Sequence, residues 1–389
     1  MIFWMVDPWD ALPGEIGIDR GIQVARALLA LGHEVVWWQS GFSHAEKKIR
    51  AAKFTVLQPE PRLKVMLLPC RGYTSNISAA RFLGIADFAW QFTRRQQVEP
   101  AADAILVSGP LFFAELTLLY LKLVRRMPLI FEFRDLWPEA IVNAAKGRKR
   151  LALQIGFAGF VGLRRLVLRN SDAVLGLNRT YMEIGRREAG ARSRAHFAVA
   201  YPAPKMTRSS AARPQTAGRA EIWAISSGTL GASHDHRVLL SAAGRLKNSH
   251  PHLRFFITGG GPFAAEIAEI IAAASLVNVQ FLGALPGAEF QALLHQCDIG
   301  LALYRSFSPV VFPTKIVDYL LAGLAVVTSA QGEGGDMLVA AGAGRSVGPE
   351  NVGDLTAVLS EMAADRPTLA KNKRNALIVA EDFTHERQM

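Results

Sequence analysis

At 389 residues the chain is longer than the roughly 250 to 300 residues over which one hydrophobic core keeps growing, so two domains are expected. Half of the residues are hydrophobic and a fifth charged, a globular composition that excludes a disordered or low-complexity protein. The net charge of +11 sits in the first 200 residues, with 28 Lys and Arg against 17 Asp and Glu there and 16 against 16 beyond, so the first half is expected to face anionic lipid, phosphate or nucleic acid. The two cysteines, Cys70 and Cys297, fall in different halves and make no disulfide framework, which suits a reducing compartment. The first residues reach acid at Asp7 without the basic lead-in and apolar run of an export signal. No segment approaches ~20 uncharged apolar residues, so no membrane-spanning helix is expected.

Short runs rich in Val, Ile, Phe and Leu alternate with segments of helical period, the pattern of parallel sheets covered by helices. In the first half strands are expected near 2–6, 34–38, 65–68, 104–108, 129–133 and 173–177. The first strand runs into Pro13-Gly14-Glu15-Ile16-Gly17, with Arg20 near the next helix start. Gly14 and Gly17 either let backbone amides approach a ligand at the positive end of that helix or make an ordinary tight turn.

The strand near 129–133 ends in Phe131-Glu132-Phe133-Arg134-Asp135-Leu136-Trp137-Pro138-Glu139. Open parallel sheets bind ligands at the carboxyl ends of their strands, so Arg134, Asp135 and Glu139 are candidates for ligand contacts. The competing reading is a buried Arg-Asp pair that staples the loop. Residues 143–170 then carry seven basic side chains and no acidic one, with Leu151, Leu153, Ile155, Phe157, Phe160, Val161 and Leu163 between the two basic clusters. That apolar run is read as too short to cross a bilayer. Its pattern fits a helix or hairpin lying in an anionic lipid interface, against the alternative of a core helix with a solvated basic end. No zinc-finger, ribonucleoprotein or helix-turn-helix signature is present, so nucleic acid is not the expected partner.

Prolines 202, 204 and 214 among Ser, Thr, Arg and Gly mark 201–220 as a linker. The alternation restarts beyond it, with strands expected near 222–226, 253–258, 279–282, 299–304 and 325–329. Two strand ends carry Gly-rich loops, Ser227-Gly228-Thr229-Leu230-Gly231 and Thr258-Gly259-Gly260-Gly261-Pro262. Neither has dinucleotide or Walker spacing, which excludes a cofactor dehydrogenase or a P-loop enzyme and leaves a phosphate-bearing ligand. The segment from Phe312 to Ser329 reads Phe-Pro-Thr-Lys-Ile-Val-Asp-Tyr-Leu-Leu-Ala-Gly-Leu-Ala-Val-Val-Thr-Ser. Lys315 and Asp318 lie three residues apart on one helical face, a cation and an anion matched to a diphosphate and a diol.

This segment resembles glycosyltransferase family 4, retaining enzymes of the two-domain GT-B fold. By that resemblance Lys315 faces the donor diphosphate and Asp318 accepts hydrogen bonds from the ribose. The strand end at Gly283 and Leu285 is similar to the family's base-binding loop, or is an ordinary strand end, and Glu333 borders the donor sugar. The chain departs from the family in having Asp318 and Val310 where Glu is usual and Thr229 where Arg is frequent, with His234, His236 or Arg237 as candidate replacements. The string at 134–139 resembles the Arg-Asp-Leu-Trp-Pro-Glu motif of a subgroup that builds bacterial surface polysaccharides. Gly41-Phe42-Ser43-His44 ahead of Lys47, Lys48 and Arg50, and the stretch 73–81, match the same subgroup and belong to its acceptor side.

The resemblance implies an α/β GT-B chain: an acceptor-binding Rossmann-like domain at 1–200, a linker at 201–220 and a nucleotide-sugar domain at 221–389, facing a central cleft. Lys315, Asp318, Arg134 and Asp135 are the expected catalytic groups. Gly14, Gly17, Gly228, Thr229, Gly231, Arg237, Gly260, Gly283, Leu285 and Glu333 are the expected donor contacts, with no metal and no cofactor. The expected reaction moves a sugar, with retention, from a UDP- or GDP-linked donor to a lipid-linked saccharide carried on a polyprenyl diphosphate, at the inner leaflet of the cytoplasmic membrane. A sugar-nucleotide epimerase and an inactive sugar-nucleotide-binding subunit are the alternatives.

Overall fold

In this computed structural model, residues 1–15, 19–75, 78–204, 221–308 and 310–388 are described, the side chains of Ala140 and Ala144 excepted. Gly17, Asn76-Ile77 and residues 205–220 of the expected linker lie outside the described residues. The chain divides into two compact units, Met1–Tyr201 and Pro202–Gln388.

In the first unit eight strands form one sheet in the order His196–Val199, Ala173–Gly176, Leu129–Phe133, Ala104–Gly109, Ile2–Val6, Glu34–Ser40, Leu63–Leu68, Thr55–Glu60. Every pairing is parallel except the last. Both faces are covered: Trp4, Trp38 and Phe92 meet edge to face on one side, while Trp37 packs with Ile22, Ala25 and Leu29 on the other. The strands are therefore apolar at successive positions, as buried parallel strands are. The two strands that periodicity did not predict, His196–Val199 and Thr55–Glu60, lie at the sheet's edges. Thr55–Glu60 is largely exposed and carries Pro59 within its register shift, both marks of an edge.

The second unit has a six-stranded, wholly parallel sheet in the order Val279–Gly283, Leu253–Thr258, Ile222–Ser227, Ile299–Ala302, Ala325–Thr328, Gly344–Ser346. The strand expected over 299–304 ends at Ala302, because Tyr304 leaves the ladder to form an isolated bridge with His234.

A buried ionic cluster ties the first loop of the first unit to its sheet. Arg134 donates to Asp7 and Asp10, each at 2.8 Å, and to Glu132 at 2.5 Å. Arg20 donates to Glu132 at 2.8 Å and to the carbonyls of Ala200 and Tyr201 at 3.1 Å. Arg50 pairs with Glu15 at 2.5 Å and donates to the Asp10 carbonyl at 2.9 Å. Burial pushes Glu132 upward, but Arg134 and Arg20 outweigh it and hold that carboxyl at about 2. Asp10 goes the other way, from 3.8 to about 8, because burial and the neighbouring Asp7 prevail over Arg134.

The segment 143–170 corrects the expected membrane element. Gly147–Asn170 is one continuous 24-residue helix, long and apolar enough to cross a membrane by length and composition. The run read as too short is extended through Arg164, because that guanidinium is buried and neutralised by Glu139 at 2.6 Å and Glu188 at 2.5 Å. Arg164, Val167 and Leu168 root the helix in the first unit, whereas Leu151 and Ile155 are exposed.

Two stability outcomes follow from these charges. A carboxyl protonated in the fold stabilises most below its unfolded value, and that contribution is lost as pH rises through the folded value. Asp10→Asn should therefore gain melting temperature relative to the unmodified chain as pH rises from 5 to 8; a constant difference would show that Asp10 holds no proton. Arg164→Ala leaves Glu188 and Glu139 unpaired and should cost roughly 3 kcal/mol in urea unfolding.

Candidate functional site

The helix Thr314–Leu321 begins after Pro313 and carries Lys315 in its first turn. Tyr319, four residues on, points to the same side. Its hydroxyl accepts from Ser227 N at 3.0 Å and shares a hydrogen bond with Ser227 Oγ at 3.0 Å, so the helix is fastened to the end of the Ile222–Ser227 strand. Gly300 makes this possible, since a Cβ there would collide with the Tyr319 ring. Lys315 is thereby held against Gly228, where a Cβ would lie 3.5 Å from Nζ, and its Nζ stands 5.3 Å from the centroid of the Tyr304 ring. Burial lowers its ammonium from 10.5 to about 8, against the pull of Asp318. Asp318 is half-buried on the same helix.

The Gly-rich loops are stitched to one another by their backbones. Gly228 N donates to Thr258 O at 3.1 Å, Leu230 N to Gly260 O at 2.9 Å and Gly259 N to Gly283 O at 2.7 Å. The Gly228 amide is thus engaged inside the protein and is not offered to a ligand. Gly259, at φ +134°, touches the Gly228 carbonyl so closely that no side chain fits. Gly260 faces open space, Thr229 is exposed, and the Gly231 carbonyl accepts from His234 N at 3.1 Å. Gly283, at φ +66°, also accepts from Thr258 Oγ1 at 2.8 Å, and Leu285 beyond it is half-buried. Glu333 opens the helix Glu333–Ala340, and the neighbouring Gly334 N donates to Val311 O at 3.0 Å, which brings this loop beside the start of the Lys315 helix. Arg237 is exposed and pairs with Glu266 at 2.6 Å. Val310, half-buried, offers no carboxylate.

In the first unit the structure corrects two candidates. Arg134 is enclosed by Asp7, Asp10 and Glu132, and Glu139 is held by Arg164, so both act as internal staples. The staple partner of Arg134 is not the adjacent Asp135, which is exposed. Crowding by the protein raises the Asp135 carboxyl, opposed by Arg81 and Arg134. Gly14, at φ +88°, sits in an exposed turn.

Three motif strings separated in sequence meet here. His44 Nδ1 lies 2.5 Å from Tyr73 Oη, Lys47 Nζ stands 4.8 Å from the Tyr73 ring centroid, and Phe42 packs on Tyr73 at 4.6 Å. The Arg81 guanidinium lies 4.4 Å from the Trp137 ring centroid and 5.3 Å from that of Trp9. Burial, then Lys47 and Arg81, lower His44 to about 4, so it is neutral at pH 7. Aromatic faces beside cations suit a sugar ring and an anionic group. Trp9 carries no local motif, and only the fold brings it to this cluster.

Residues 212–378 match the family model described as glycosyl transferases group 1. No curated protein matches the chain significantly by sequence. Among solved structures it is similar to sucrose-phosphate synthase from Thermosynechococcus elongatus, with TM-score 0.72 and 16% identity over 100% of this chain and 96% of that one. It is also similar to WaaG, a glycosyltransferase involved in lipopolysaccharide biosynthesis, with TM-score 0.66 and 13% identity over 98% and 95%. The Anabaena protein HepE in complex with UDP and glucose gives TM-score 0.66 and 16% identity over 100% and 97%. The fastened Lys315 helix and its Gly-rich strand ends therefore lie within the stretch that matches the glycosyl transferases group 1 model, in a chain of GT-B fold.

Proposed function

We propose that the chain transfers a sugar, with retention of configuration, from a nucleoside-diphosphate donor held by the second unit to a lipid-linked saccharide bound by the first. The observation that carries this reading is the buried Lys315 ammonium, fixed against Gly228 by the Tyr319 anchor. A cation held in place before the reaction stabilises charge developing on a departing nucleoside diphosphate without reorganisation. In this reading Asp318, three residues on along the same helix, accepts from ribose hydroxyls. The departing phosphate takes the acceptor proton, so no protein base is assigned. The UDP bound by HepE supports UDP as the nucleotide, and the role of WaaG supports a surface polysaccharide as the product.

The acceptor reading rests on the cluster of Trp9, His44, Lys47, Tyr73, Arg81 and Trp137, where aromatic faces take sugar rings and the two cations take a polyprenyl diphosphate. The membrane reading rests on the helix Gly147–Asn170. Leu151 and Ile155 are exposed, as are Leu116 and Tyr120 of the helix Glu115–Leu123, which packs against it, and Arg148, Lys149, Arg150 and Arg165 are exposed on the same segment. Apolar side chains among basic ones favour an anionic leaflet, and the buried root of the helix suits lying on the surface. The reading puts the reaction at the cytoplasmic face, where anionic lipid meets the basic side chains.

Lys315→Ala should lower turnover at least about a hundredfold while leaving the melting temperature nearly unchanged, the scale expected for one preorganised charge. Unchanged transfer of label from a UDP- or GDP-sugar into organic-extractable lipid would remove Lys315 from the reaction. Sedimentation with vesicles should show binding to anionic lipid that weakens with salt, and Leu151→Glu with Ile155→Glu should abolish it; equal binding to neutral vesicles at low salt would refute the electrostatic part.

A further inference from the structure

Two histidines beside Lys315 remain without a role in the reaction above. His236 is buried in the first turn of the helix His236–Leu246, and His234 is half-buried in the preceding loop. Their rings stack with centroids 5.8 Å apart, and His234 lies 4.8 Å from Tyr304, the ring over which the Lys315 ammonium stands. His234 Nδ1 and His236 Nε2 are both buried and meet no hydrogen-bond partner among the described residues. Buried ring nitrogens without partners are unfavourable in a resting protein, which makes a ligand the natural complement.

The pair borders a cavity of about 300 Å³. The other charges facing it are already matched: Arg237 with Glu266 at 2.6 Å and Arg305 with Glu350 at 3.1 Å. Asp235 caps the helix through Oδ1, which accepts from Val238 N at 3.2 Å, while its buried Oδ2 adds a carboxylate beside the rings. From the helix Thr314–Leu321, Lys315 faces both imidazoles.

We infer that His234 and His236 complete the phosphate-binding group of the donor site around Lys315, and that the nucleoside diphosphate is taken up together with a proton shared by this pair. The inference rests on the donor reading above. In the unliganded chain, burial first and Lys315 second hold His234 at about 3 and His236 at about 4, so both are neutral at pH 7. A phosphate charge within ~4 Å is enough to lift an imidazole from about 4 to about 7, because a partly buried charge pair is weakly screened. A group whose pKa rises on binding makes the ligand bind more tightly as pH falls.

The test is titration calorimetry of UDP and GDP on the full chain at pH 5.5 and 7.5, beside the double variant His234→Asn, His236→Gln. Each replacement keeps a neutral nitrogen near the orphaned position but cannot gain charge. Lys315, at about 8, and the nucleotide's own titration are common to both proteins, so the difference between them isolates the histidines. The unmodified chain should gain about tenfold more affinity on acidification than the variant, with an observed enthalpy that changes with buffer ionisation heat and so reports proton uptake. Equal affinities and equal pH slopes in the two proteins would overturn the inference while leaving the donor reading standing. Failure of both nucleotides to bind the unmodified chain at either pH would overturn the donor reading itself, and the inference with it. If the double variant does not fold, His236→Gln alone is read in the same way.

Discussion

The hydrogen bonds between Tyr319 and Ser227 are the constraint on which the second unit's chemistry depends. They join a short helix to the end of a central strand, and Lys315, one turn earlier on that helix, is carried with it. Gly300 leaves room for the tyrosine ring, and Ser329 holds Tyr304 beneath the ammonium through hydrogen bonds of 2.7 and 2.8 Å. An eight-residue helix has little stability of its own in water. Its register against the sheet, and so the position of the cation, is set by tertiary contacts.

The two units handle buried charge in opposite ways. In the first, three arginines meet Asp7, Asp10, Glu15 and Glu132, and the count balances when Asp10 carries a proton, the state that its raised pKa favours. Such a cluster holds the first loop and the Arg20–Ala30 helix in place. In the second, burial alone pulls the Lys315 ammonium down and two neutral imidazoles stand beside it. A site with a surplus of donors over acceptors is suited to an anion, whereas the balanced cluster is suited to structure.

The helix Gly147–Asn170 joins two environments along its length. Its last turns are part of the first unit's core, and its first turns present Leu151 and Ile155 to the outside among Arg148, Lys149 and Arg150. Phe157 and Phe160 lie between, packed on Phe82, Phe112 and Phe113. The basic excess of the first half is thus partly concentrated on a single exposed element rather than distributed evenly.

Local pattern alone was enough to reveal the repeating strand-helix order, the Gly-rich strand ends and the Lys315–Asp318 face, because each is written within a few consecutive residues. The edge strands leave little mark on the sequence, because one is only four residues long and the other is largely exposed. The partners of Arg134 were equally hidden: Asp7 and Asp10 lie more than 120 positions earlier, and only the adjacency of the Ile2–Val6, Ala104–Gly109 and Leu129–Phe133 strands brings them together. The engagement of the Gly228 amide by Thr258, the meeting of Trp9, His44, Tyr73, Arg81 and Trp137, and the orphaned nitrogens of His234 and His236 are likewise consequences of which strand ends neighbour one another. Side-chain chemistry sets which residues are able to bind phosphate or sugar; the packing of distant segments settles which of them are occupied inside the protein and which are left to a ligand.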